Sequence, residues 1–312
     1  MHGRSAGPSR ERGTRPFTSG CARWLPAVLL LTLAPAPASA RAEWADWVLD
    51  AGVTSRFESN VNRADAGSEE EWDVSFRPVA QVGRVLQLAE QTRLFLGLDL
   101  AGDVSARFSE LHALDLGGQL ALTHKLGLGD APWLQLRASG GYREVRADQR
   151  TGPYLVLGAM LGKRFSPRLD ARIGYRYTRR WGRDGPAVVA GLPDDPFDVE
   201  QHEIGVEGSF LLTPTLLLGA GFAYRRGDFT SNVRDDRFQV LATNDVEAVA
   251  EDTVFGGWVY RVDGDGFTPH VRLNQALGDR WSVDLAYRFH YADGGGLSYR
   301  NHVVTAGVLF RY

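Results

Sequence analysis

The chain has 312 residues, 35 of them basic and 38 acidic, for a formal net charge of −3. That acidic balance disfavours nucleic acid as a partner. No run of 18 apolar residues follows residue 40, which excludes a membrane-spanning helix but not a barrel strand, since about 9 to 11 alternating residues suffice for one.

Residues 1–40 read as an export signal. Arg4, Arg10, Arg12, Arg15 and Arg23 make a basic start, Ala27 to Leu33 a short apolar core, and Ala38-Ser39-Ala40 a small-x-small cleavage pattern. Pro26, Pro35 and Pro37 bound a run too short for an anchor. Cys21, the one cysteine, precedes that core without a lipoprotein pattern. A single domain, 41–312, then remains, with no cysteine, as suits an oxidising compartment.

Along that domain apolar and polar residues alternate. Leu94, Leu96, Leu98 and Leu100 oppose Arg93, Phe95, Gly97 and Asp99. Leu169, Ala171, Ile173, Tyr175 and Tyr177 oppose Asp170, Arg172, Gly174, Arg176 and Thr178. Trp281, Val283, Leu285, Tyr287 and Phe289 oppose Ser282, Asp284, Ala286, Arg288 and His290. Period two means strands with one apolar and one polar face. About twelve are expected, near 45–57, 72–87, 92–104, 111–126, 132–146, 153–165, 168–182, 201–213, 215–229, 266–277, 281–293 and 301–312. The strand-like Asp252 to Val262 leaves ten or fourteen open.

A soluble β-sandwich and a membrane barrel both fit that alternation, and the connections separate them. Tight turns at Ser166-Pro167-Arg168, Thr213-Pro214-Thr215 and Gly278-Asp279-Arg280 alternate with long polar loops at 58–71, 183–200 and 230–265, the rim asymmetry of an outer-membrane barrel. Trp181, Trp281, Tyr287, Tyr291 and Tyr312 sit where interfacial girdles form. In the last strand Val304, Ala306, Val308, Phe310 and Tyr312 share one face. This segment resembles the C-terminal recognition strand of bacterial outer-membrane proteins. The resemblance implies an all-β transmembrane barrel in the bacterial outer membrane, surrounded by lipid and lipopolysaccharide and delivered to the barrel assembly machinery through that strand.

Alternation places Arg137, Arg143, Arg172, Arg176, Arg225, Arg272 and Arg288 on the inner face, a basic stripe suited to carboxylates or phosphates. Twelve-stranded porins for oligogalacturonate and sialic acid are similar in architecture and arginines, which implies passive passage of small polar or anionic solutes. Asp99, Asp115, Asp170, Glu207 and Asp284 share that face, so the alternative is a salt-bridged, closed lumen with the long loops as an adhesive surface.

Phe57-Glu58-Ser59-Asn60-Val61-Asn62-Arg63-Ala64 resembles the stretch ending the first barrel strand in several outer-membrane families, the surface lipoprotein assembly modifiers among them. That resemblance implies an export helper, although those proteins carry a helical-repeat domain for which this chain leaves no room. Its plainer reading is a turn whose Asn and Ser cap the backbone. Tyr287 to Ala292 loosely resembles the His-x-Ser stretch of lipid A deacylases, yet Ala292 stands where the nucleophile would be, and no His-x-Ser-Asn stretch like that of outer-membrane phospholipase A occurs. No enzyme, cofactor or metal is expected. Asp194-Asp195 and Asp263-Gly264-Asp265-Gly266 read as solvated turns, and Arg179, Arg180 and Arg183 as a rim that could hold lipopolysaccharide phosphates.

Overall fold

The computed structural model describes residues 43–65, 67–234 and 245–312, so the expected export signal, 1–40, lies outside the described residues. The strands are β1 (Glu43–Glu58), β2 (Asp73–Ala89), β3 (Thr92–Ser105), β4 (Ala113–Lys125), β5 (Trp133–Val145), β6 (Gly152–Ser166), β7 (Leu169–Arg180), β8 (Val199–Thr213), β9 (Leu216–Val233), β10 (Ala248–Glu251), β11 (Trp258–Leu277), β12 (Trp281–Gly294) and β13 (Leu297–Arg311). Neighbours pair antiparallel in chain order, with β11 taking the place beside β9. β1 and β13 close the ring, from Asp50↔Arg311 to Glu58↔Val303. β10 pairs only with the outer end of β11, so 12 strands form the wall. The alternation near 252–262 thus serves two purposes: its second half lengthens β11 outward to Trp258, and that extension gives β10 an edge.

Closure leaves the wall no free strand edge, which is what lets a sheet stand in hydrocarbon. The outward residues supply the rest. Leu98 and Leu116 are each 63% exposed, Ile204 54% and Val206 50%, within a belt that also holds Leu136, Phe222, Leu285 and Val308. Leaving a side chain of that size in water forgoes about 1.5–3 kcal/mol each, so the belt is stable only against lipid. Placing a charge there tests this. Leu98→Arg is expected to lower folding stability in phospholipid vesicles by about 2–4 kcal/mol if Leu98 lies near the midplane. A denaturant midpoint equal to wild type would contradict a lipid-facing Leu98.

The rims differ as their sequences demand. One rim carries the tight turns after β2, β6, β8 and β11 and the 126–132 connection. Trp281 packs 4.9 Å from Phe310 there, and Arg280 lies 5.1 Å over Tyr312. The other carries connections 59–72, 106–112, 146–151, 181–198 and 234–257. Gly295-Gly296 is the exception on this rim: a two-residue hairpin with φ of 56° and 79°, left-handed values that glycine adopts without strain.

Candidate functional site

Residues paired across a ladder point to the same side of the sheet. One row runs Arg137↔Gly158↔Arg176↔Glu203↔Arg225↔Gly266 from β5 to β11. A second runs Arg172↔Glu207↔Gly221↔His270↔Arg288 from β7 to β12. Arg143 and Arg272 have the same parity, opposite the apolar belt, so all seven sequence-selected arginines share the lumen side. Gly158, between Arg137 and Arg176, leaves room: a cavity of about 420 Å³ is lined by it and by Arg137, Arg172, Arg176, Glu203, Glu207 and His270, among others.

These arginines fall into two groups. Arg143 bridges Asp103 and Asp115 at 2.7 Å each, and Arg77 binds the same two carboxylates. Glu207 takes Arg172 at 2.6 Å and Arg272 at 2.9 Å, and Glu203 takes Arg176 at 3.4 Å. Among the described residues Arg137, Arg225 and Arg288 have no carboxylate partner.

Three of the five acids chosen from sequence do not neutralise arginine. Asp99, with Gln81 opposite on β2 and Gln119 nearby on β4, bonds those two amides at 2.5 and 2.9 Å. Asp284 faces Asn274 across the ladder and takes its amide at 3.3 Å. Asp170 lies opposite Arg164, with no ion pair between them. Sequence reading missed Arg77, Asp103 and Glu203. Alternation already carried the signal for the acids: Asp103 has the parity of Asp99, and Glu203 that of Glu207.

Other candidates separate. Arg179 turns outward to Asp198 at 2.6 Å, Arg180 turns inward to the Arg150 carbonyl, and Arg183 pairs with Asp148 and Tyr142, so the three do not converge on one phosphate. Asp263 and Asp265 stand in β11 rather than a loop, on the outward face beside Arg226 at 3.7 and 3.6 Å. Asp195 lies 3.6 Å from Arg261. His290 shares a 3.0 Å hydrogen bond with Thr268 on the lumen face.

Above the lumen, loops from opposite walls meet. Arg150, from the β5–β6 loop, bonds Asp252 at 3.1 Å and stacks 4.2 Å from Phe197 and 5.4 Å from Phe255. Asp252 also accepts the Asn232 amide at 3.1 Å and the Val254 N–H at 2.9 Å. Phe255 meets Phe108 of the β3–β4 loop edge-on at 4.8 Å, and Asn62 of the β1–β2 loop lies 3.4 Å from Asn232. β3 and β4 stand across the ring from β9 and β11, so these contacts carry a layer of protein over the mouth. Burial pulls the Arg150 guanidinium below its ordinary pKa, and the Asp252 charge works against that. At the edge, Glu71 holds Arg234 at 2.8 Å and Arg107 at 3.0 Å. The Arg234 hydrogen bond, more than any other neighbour, keeps its carboxyl below the usual range.

No protein-family model and no curated protein matches the sequence. Among solved structures, an outer membrane channel from Pseudomonas putida F1 is similar over 89% of this chain and 100% of its own, with TM-score 0.53 and 12% identity. That likeness shows the fold: this chain is a closed 12-strand antiparallel β-barrel. The NanC porin aligns at TM-score 0.46 and 10% identity, over 84% of this barrel chain and 100% of its own. The translocator domain of autotransporter NalP from Neisseria meningitidis aligns at 0.44 and 15%, over 85% and 88%.

Proposed function

We propose that this barrel is a passive channel for small polar or anionic solutes. The observation that carries the reading is the lumen face on which Arg137, Arg225 and Arg288 have no described carboxylate within ion-pair distance. Asp99, Asp170 and Asp284 on that face lack an arginine partner too, so the reading rests on guanidinium groups left open to a solute and not on an excess of positive charge. Uncompensated guanidinium groups along a narrow wall lower the barrier to an anion, which would otherwise lose its hydration in a low-dielectric bore. The solved neighbour from Pseudomonas putida F1 is itself described as an outer membrane channel. The covered mouth supports a second reading, a closed barrel whose loops bind a partner.

Liposome uptake separates the two. Liposomes bearing the refolded barrel are expected to admit gluconate faster than glucose, and combining Arg137→Gln, Arg225→Gln and Arg288→Gln is expected to remove that preference. Uptake no faster than into empty liposomes, by barrels shown folded by heat-modifiable gel migration, would contradict the channel and leave the loops as the working surface.

A further inference from the structure

The segment after β1 builds an unusual object. Asn60 Oδ1 accepts the Ala64 N–H at 2.8 Å, while its amide donates to the Ala64 and Arg300 carbonyls at 2.9 and 3.0 Å. Asn60 is fully buried and Asn62 nearly so. This scaffold holds Arg63 at φ 58°, a left-handed backbone that a side-chain-bearing residue adopts only under strain. Ser231 donates to the Arg63 carbonyl at 2.8 Å and fixes it further. Yet the guanidinium at the end of this strained residue has no carboxylate among the described residues; it donates only to Thr230 Oγ1, at 2.9 Å.

The turn that carries this guanidinium rests on the lumen wall: Asn301 Oδ1 accepts the Asn60 N–H at 3.1 Å, and Asn301 stands opposite His290. Arg288 lies two residues from His290 on the same face of β12, Thr268 of β11 bonds the His290 ring at 3.0 Å, and Arg225 of β9 stands opposite Gly266 of β11, two residues from Thr268. Arg56 of β1 shares that side. Arg56 is compensated by Glu58 at 3.2 Å, and the other three are not. Arg225 Nε is buried without a hydrogen-bond partner. Gly266 lies against it: a Cβ there would stand 3.5 Å from the Arg225 guanidinium, in ordinary van der Waals contact. Like charges gathered without a counter-ion raise the energy of the fold, and a bound anion removes that penalty.

We propose that Arg63, Arg225 and Arg288, grouped around His290 beneath the loop layer, form a binding site for a small solute carrying two or more negatively charged oxygens, a phosphate monoester or a dicarboxylate. The site deepens the channel reading by giving it a selective station. Guanidinium forks match such oxygens in pairs, and each charge-assisted contact is worth roughly 1.5–3 kcal/mol, or tenfold and more in affinity.

Calorimetric titration of inorganic phosphate into the refolded barrel, at ionic strength held constant with KCl, tests it. Saturable binding is expected, weakened at least tenfold by Arg63→Asn, whose asparagine tolerates the left-handed backbone, and independently by Arg288→Gln. Arg84→Gln, on the outward face by Trp44 and Trp47, is expected to bind as wild type does. No saturable heat, or an affinity that both Arg63→Asn and Arg288→Gln leave unchanged, would overturn the site; the second result would mean an adventitious ion only. If Arg63→Asn does not fold, Arg288→Gln decides. Arginine-dependent phosphate binding by a barrel silent in bilayers would keep the site and remove the channel. Conduction without phosphate binding would keep the channel and remove the site.

Discussion

Asp252→Ala is expected to raise the conductance of the refolded barrel several-fold and to expose the 246–258 segment to protease. The carboxylate is buried and ties together Arg150, Asn232 and the backbone of Val254 and Phe255. Its removal strands a buried guanidinium, and breaking such a pair from one side costs about 3–5 kcal/mol. The layer has other ties, among them the apolar cluster of Val249, Tyr260, Val262 and Leu297 and the Gln149 amide on the Glu251 carbonyl. A loss of that size nevertheless exceeds what any single one of those hydrogen bonds supplies and should loosen the 246–258 segment while the ladder-bonded wall stays intact. Arg150→Ala, which removes the other partner, is expected to act the same way. Unchanged conductance together with unchanged protease resistance would show that the Arg150–Asp252 pair does not hold the mouth covered.

The wall's own weak point under mutation is Arg143. It and Arg77 each bridge Asp103 and Asp115, two carboxylates whose side chains are only 7% and 10% exposed. Arg143→Ala leaves two acids against one base. A loss of about 3 kcal/mol is expected from the unpaired buried charge, corresponding to a fall of roughly 6–12 °C in the temperature at which heat-modifiable migration is lost. Adding Asp115→Asn restores the balance and is expected to recover part of that fall. An Arg143→Ala barrel as heat-resistant as wild type would mean that lumen water, and not Arg143, compensates the acids.

The wall was readable in the sequence because a strand writes its two faces in a period of two. Leu94 to Leu100 and Leu169 to Tyr177 need no partner to declare which side meets lipid, and the inner parity of Arg172 or Arg288 follows from the same count. Which charges touch is another matter. Asp115 meets Arg143 because the register sets them opposite each other, whereas Asp99 finds Gln81 opposite instead; one residue of stagger decides, and composition carries no record of it. The loop layer was less legible still. Phe108, Arg150, Phe197 and Asp252 come from distant connections and Asn232 from the outer end of β9, with no shared periodicity, and only the closure of the ring brings them together. Asn60 and Asn62 did read as backbone caps, and they are, but that their bonds set Arg63 above the lumen depends on tertiary contacts with Ser231 and Arg300.

The central claim, that solutes pass a lumen biased toward anions, is tested most directly by the reversal potential of single barrels in a planar bilayer under a tenfold KCl gradient. The account predicts a wild-type potential displaced toward that of chloride, larger currents of the same sign from Asp252→Ala, and a shift toward zero when Arg137, Arg225 and Arg288 are replaced together by Gln. A potential displaced toward potassium, or no current from Asp252→Ala barrels shown to be folded, would contradict it.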